Sequence, residues 1–222
     1  MTWSFDEERR EHVPDKPYCS RLPTCSQRLW PKFDNYLRER NLDHELAREN
    51  CWFPSRTVDG YDRLVVPGTS DQEGNLYWQA RLIQADVGGP NLPGHSPRRW
   101  ESPHGIARGN SVCLVWPRTL AAGRAAAIVE GPMDALAAAG EGVLGVGLMG
   151  VHPADEVLEL TKRLLRGTVP IMVMDLNAEK EWMVVQARLR ELGCPGHLVS
   201  PYPGKDLAQL TRPERRKVLG LR

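Results

Sequence analysis

Apolar and polar positions change their rhythm at about residue 111. Downstream, short apolar runs alternate with stretches of helical period. The strands are Val112 to Trp116, Ala125 to Val129, Gly142 to Leu148, Val169 to Met174 and His197 to Ser200. Helices Met133 to Ala139, Ala154 to Leu165 and Ala178 to Leu192 lie between them, and a terminal helix follows. Strands separated by helices of about 10–15 residues predict a parallel sheet with right-handed crossovers. Upstream, Pro31 to Arg40 and Asp43 to Asn50 read as two short helices, with Asp43 as an N-cap. Strands Arg63 to Pro67 and Asn75 to Ile83 flank Asp71-Gln72-Glu73-Gly74, which is hairpin-turn chemistry. Residues 84–110 are dense in proline and glycine and carry Arg98, Arg99 and Arg108, which predicts a long basic loop. Such loops usually bind something or are disordered. Residues 1–30 are polar and aperiodic and read as a partly ordered arm. The expected fold class is α/β: a parallel sheet flanked by helices, residues 111–212, preceded by a smaller N-terminal α+β subdomain, residues 31–110. Residues 213–222 form a basic tail or helix, and the cluster Arg212 to Lys217 reads as a solvated helix face.

A chain of 222 residues is long enough for one large domain or two small ones with real cores. The formal charge is +1, but only six of the 29 basic residues are lysine. Arginine supplies planar, bidentate donors suited to phosphate and carboxylate, although codon bias gives the same composition. No run approaches the ~18 apolar residues of a membrane span, and the charged segment Met1 to Arg10 lacks a signal-peptide core. A soluble, cytoplasmic protein without a membrane partner is expected. Five cysteines at irregular spacing argue against a secreted disulfide framework. Cys19 and Cys25 are too widely spaced for a zinc knuckle, so no zinc is expected.

The chemistry concentrates at two strand ends. Glu130-Gly131-Pro132-Met133-Asp134 follows the apolar run Ala125 to Val129, and Asp175-Leu176-Asn177 follows Val169 to Met174. Ligands and metals collect at the C-terminal ends of parallel strands. Carboxylates facing each other there repel unless a cation sits between them. For each acid alone an ordinary structural role also fits: Asp175 as cap of the helix from Ala178, Asp134 as a first-turn acid, Asp206 as cap of Leu207 to Leu210.

These residues resemble the Toprim domain of bacterial and phage DnaG-type primases. Ile128 to Asp134 is similar to that family's first acidic motif, Met174 to Ala178 sits where its Asp-x-Asp motif belongs, and Gly204-Lys205-Asp206-Leu207 resembles its later Gly-Lys-Asp segment. Upstream, Tyr36 to Leu42 looks like the helical opening of the primase catalytic core. Arg63 to Pro67 and Trp78 to Arg81 look like its basic hairpin, and Arg98 to Pro103 like its Lys-Tyr-Leu-Asn-Ser-Pro loop. The likeness covers about residues 31–212 and holds mainly through the order of its parts.

The resemblance implies a Toprim-type sheet and a nucleotidyltransferase that makes short RNA primers on a single-stranded DNA template from ribonucleoside triphosphates. Mg²⁺ or Mn²⁺ is the implied cofactor, with Glu130, Asp175 and Asn177 as ligands and Glu130, Asp134 and Asp175 as catalytic residues. Lys205 and Asp206 are implied at the nucleotide, and Arg63, Arg81, Arg98 and Arg99 at nucleic acid, with Trp78 or Trp100 as a stacking face. Mg²⁺ keeps several waters and needs only one or two protein carboxylates beside the substrate phosphates. Asn177 replaces the second aspartate of the motif, and Glu179 stands where the family has glycine. An amide oxygen contributes no charge, so affinity for a second ion falls. The alternatives are a catalytically degenerate Toprim protein that binds single strands or a replication partner, and a Toprim nuclease. No zinc-binding or helicase part is recognisable, which implies a phage or mobile-element protein working with a separately encoded replicative helicase in a bacterial cytoplasm.

Overall fold

Strand pairing organises the chain into two sheets. The computed structural model describes residues 22–56, 60–70, 76–83, 100–103, 111–120, 126–150, 152–166, 168–175, 178–200 and 205–221. The first sheet is an antiparallel meander of β1 (Phe53–Arg56), β2 (Asp62–Ser70), β3 (Leu76–Leu82) and β4 (Trp100–Glu101), in that order. β1 escapes sequence reading because it is short and contains Pro54. As an edge strand it tolerates a residue without an N–H. The carbonyl of Pro54 accepts from the Ser26 amide at 2.8 Å, and the Thr24 carbonyl accepts from the Ser55 hydroxyl at 2.7 Å. Residues 22–29, including a 3-10 turn at Gln27–Leu29, therefore pack along this edge. β4 corrects the expectation of one continuous loop over 84–110: Trp100 and Glu101 pair with Arg81 and Ala80.

The second sheet has the order β5-β7-β6-β8-β9, built from β5 (Cys113–Val115), β6 (Ala126–Val129), β7 (Leu144–Gly147), β8 (Ile171–Val173) and β9 (His197–Val199). Four of its strands are parallel, but β5 runs antiparallel to β7. The expected all-parallel sheet is thus a mixed one with a reversed edge. Helices fall where the periodicity places them. In α1 (Trp30–Arg38), Phe33, Tyr36 and Leu37 share the buried face and a proline stands in the first turn. In α2 (His44–Glu49) the Asp43 side chain accepts from the Leu46 amide at 2.8 Å. α3 (Pro132–Gly140), α4 (Asp155–Leu164) and α5 (Glu179–Glu191) follow β6, β7 and β8. α6 (Arg212–Val218) closes the fold with a reciprocal Thr211–Glu214 capping box.

Alternate residues of β6 enter opposite cores. Ala126 and Ile128 join Val157, Leu158, Trp182 and Leu189 of α4 and α5. Ala127 and Val129 join a larger cluster that unites α3 with Phe33 and Leu37 of α1, Leu64 and Tyr77 of the first sheet, and Leu219 beyond α6. The two sheets also touch through the backbone. The Thr69 amide donates to Val112 O at 2.8 Å, the Ser111 hydroxyl donates to Thr69 O at 2.6 Å, and the Val112 amide donates to the Thr69 hydroxyl at 3.2 Å. Among the described residues no helix is long and apolar enough to cross a membrane.

α3 lies against β7 at glycine contact. A Cβ on Gly145 would stand 2.1 Å from Ala135 O and 2.7 Å from its carbonyl carbon, and one on Gly147 3.1 Å from Gly131 O. Backbone cannot yield there as a side chain can. Gly145→Ala is therefore expected to destabilise the protein by about 3 kcal/mol, the upper range of overpacking. A urea midpoint equal to that of the parent protein would show that α3 is not held this closely.

Candidate active site

β6 and β8 are adjacent and parallel, with Ile128 opposite Met172, so both deliver their following residues to one edge of the sheet. Glu130 follows β6 and Asp175 follows β8 two residues on. The two carboxyl groups interact there, Glu130 favouring the protonated form of Asp175. Carboxylates gathered at one edge disfavour one another's charge, so that a proton on one of them, or a cation between them, is favoured. Burial pushes Asp175 well above the usual carboxylate range, and Asp134, Glu130 and Asp206 add to the shift.

Asp134 comes to the same edge from the first turn of α3 and is 8% exposed. Burial raises its pKa to about 7, with further push from Asp206 and Glu130. Opposing that rise, Asp134 Oδ1 accepts from the Ala208 amide at 2.7 Å, and the Arg215 guanidinium favours the ionised form. Asp206 caps the 3-10 turn Leu207–Gln209, in a reciprocal box with Gln209. Its cap role and its influence on Asp134 and Asp175 hold together, since the turn carries it to the acidic edge. Lys205 beside it is half-exposed, with Nζ 3.9 Å from Glu214. Asn177 lies outside the described residues.

Four carboxylates from four chain segments thus influence one another at one edge. All are hard oxygen donors. Among the described residues no three His, Cys, Asp or Glu side chains close into a metal cage. An open edge of carboxylate oxygens fits a small hard cation that retains waters and phosphate ligands, and does not fit a structural zinc.

The basic residues divide. Arg63 was expected at nucleic acid but is 1% exposed; its Nε lies 3.1 Å from Glu101, and it donates to Ala80 O at 3.2 Å. It fastens β4 to the meander and has no face for a phosphate. Trp78, one of two expected stacking faces, is buried against Val65 and Ala80. Arg81 and Trp100 stay at the surface of the sheet. The Arg81 guanidinium sits 5.0 Å over the Trp100 ring, and its Nε donates to the Tyr36 hydroxyl at 3.0 Å. Arg98 and Arg99 lie outside the described residues.

Sequence reasoning misses the polar ties behind the site. Gln79, buried, donates to Met149 O at 3.2 Å, and Met149 has φ +62° directly beyond β7. The Tyr77 hydroxyl bonds both Gln79 and Ser102. Arg215, expected in a solvated face, is 4% exposed. Its position four residues before Leu219, on the stripe that enters the core, was the available signal.

The α/β fold is that of the DnaG-type primase catalytic core. The RNA polymerase domain of Mycobacterium tuberculosis primase DnaG matches with TM-score 0.60 and 16% identity, over 86% of this chain and 75% of that one. A DNA primase domain from Pseudomonas aeruginosa matches with TM-score 0.54 and 18% identity, over 82% and 67%. A DnaG primase catalytic domain bound to single-stranded DNA matches with TM-score 0.53 and 18% identity, over 85% and 72%. No family model matches the sequence, and no curated protein matches it.

Proposed function

We propose that the chain is a primase-like nucleotidyltransferase that joins ribonucleotides on single-stranded DNA. The observation that carries this reading is the meeting of Glu130 and Asp175 at adjacent parallel strand ends, where Asp134 and Asp206 act on the same carboxyl group, in a primase-core fold. Glu130 and Asp175 would hold Mg²⁺ or Mn²⁺, with Asn177 as a neutral third donor. Such an ion supplies Lewis acidity at the attacking 3′-hydroxyl and neutralises charge on the departing pyrophosphate. Asp134, fixed by the Ala208 amide, would add negative charge behind those ligands once a bound cation offsets the burial that favours its proton. Lys205 would turn from Glu214 to the triphosphate, and Asp206 would accept from a water near it.

Single-stranded template would cross the first sheet at Arg81 and Trp100 and continue along Arg98 and Arg99. A guanidinium already stacked on an indole offers a phosphate contact beside a base-stacking face. Arg81→Ala is expected to weaken single-strand binding about tenfold at low salt and to reduce the salt slope by about one ion. Fluorescence anisotropy over a salt series checks it, and an unchanged slope removes Arg81 from the track.

The deciding experiment is incorporation of labelled ribonucleoside triphosphates on single-stranded DNA with Mg²⁺ or Mn²⁺. Product of primer length supports the reading. Cleavage of the DNA without nucleotides identifies a nuclease. Asn177 in place of an acid favours a second reading, a binding module; strand binding without incorporation even in Mn²⁺ selects it.

A further inference from the structure

Arg215 is the most buried arginine of α6, and its guanidinium is committed to three backbone carbonyls. It donates to Asn41 O at 2.9 Å, to Arg40 O at 3.4 Å and to Ala208 O at 3.2 Å. The first two belong to the turn after α1, where Asn41 has φ +53°. The third belongs to the residue whose amide donates to Asp134. One side chain therefore ties the turn that carries Asp206 and the Asp134 hydrogen bond to the helical opening of the chain. Among the described residues no carboxylate pairs directly with it, although burial disfavours its charge and the nearby Glu141 and Asp134 favour it. A buried arginine that bonds only carbonyls stabilises little as an ion pair, so its effect is to fix where those carbonyls stand.

We infer that Arg215 is a positioning residue for the acidic edge, holding the turn at 206–209 so that the Ala208 amide meets Asp134. The inference rests on the proposal that this edge binds a divalent cation. Its physical content is that the edge is assembled from both ends of the chain: Asp134 is oriented by a turn that is itself held from α1. Arg212, on the same helix, pairs with Glu141 at 3.3 Å and is 73% exposed at its side chain, so it anchors α6 without reaching the turn.

The test compares Arg215→Met, Arg215→Lys and Arg212→Met in the full chain. The first readout is hydrogen exchange at the Ala208 amide, which needs no metal. Arg215→Met is expected to speed that exchange at least tenfold, with partial protection restored in Arg215→Lys and the parent rate kept in Arg212→Met. The second readout is Mn²⁺ affinity by electron paramagnetic resonance, where Arg215→Met is expected to lose about tenfold. In Asp134→Asn the same Arg215 substitution is expected to cost less than threefold, because the group it orients is gone. Unchanged exchange at Ala208 overturns the inference, as does an equal effect from Arg212→Met, which would mean general loosening of α6. If Arg215→Met does not fold, Arg215→Lys carries the exchange measurement, and a parent rate there overturns the inference too. Faster exchange with no Mn²⁺ binding by the parent protein would instead overturn the metal-site reading and with it the role assigned to Arg215.

Discussion

Asp175→Asn is expected to abolish nucleotide incorporation, by at least about a thousandfold, while making the metal-free protein more stable at pH 8. The two effects have one cause. Asp175 is a carboxyl group placed where burial and three other acids oppose its ionisation. At pH 8 the folded chain bears that unfavourable interaction, and an amide of the same shape relieves it. The amide also supplies no charge to a cation, and several kcal/mol of transition-state stabilisation from a metal corresponds to a factor of about 10³ or more. Glu130→Gln should lose incorporation alike, since it removes the other carboxylate proposed to hold the cation. Labelled-nucleotide incorporation and a urea midpoint at pH 8 report the two effects. A variant that keeps incorporation removes Asp175 from catalysis, and one that loses stability shows its carboxyl to be a structural anchor.

Without divalent cations, stability should fall as pH rises from about 4 to 9. Burial raises Asp134 to about 7 in the folded state, above its ordinary 3.8. Between those values the folded chain holds a proton that the unfolded chain has released, so each step up in pH favours unfolding. The full contribution is present below the unfolded pKa and is lost by the folded one. A displacement of roughly three pH units corresponds to on the order of 4 kcal/mol for Asp134 alone. Asp175, shifted in the same direction, extends the decline to higher pH. Asp62 behaves oppositely: burial raises it, but Lys32 and Arg56 outweigh burial and hold it below the usual range. Its contribution is lost on the acid side, below the ordinary carboxylate value of 3.8, which places the stability maximum near pH 4. Mn²⁺ should flatten the alkaline decline by neutralising the same carboxylates. Melting temperatures across this range, with and without Mn²⁺, test the slope. A flat profile in its absence would mean that the acids are better solvated than their burial implies.

Glu130 and Asp175 were legible because an apolar run ending in an acid is unusual, and it occurs twice among alternating strands and helices. Strand direction was not legible. The three-residue β5 shows the same buried pattern whichever way it runs, so its reversal against β7 depends on where the chain enters the sheet. β4 was hidden because two residues set no period. Arg63 and Arg81 stand on neighbouring strands of one hairpin and read as equals. The Glu101 carboxylate on β4 and the Ala80 carbonyl draw Arg63 inward, and the Glu101 pairing is made by tertiary structure. The Ala208 amide was beyond any reading of side chains, because its donor is backbone. Arg215 was misread for the opposite reason: a run of charges hides the one member that faces the core.

The backbone seam between Thr69 and Val112 bears on how this chain can be divided. Residue 110 looks like a place to cut: the sequence rhythm changes there, and one sheet ends before it while the other begins after it. Yet the core beneath α3 draws residues from both sides of that point, so neither fragment would enclose its own apolar surface. Heat should therefore melt the protein in one transition, and separately expressed halves should remain insoluble unless mixed. Recombination among relatives would have to carry the acidic edge and the first sheet together, as a single heritable module.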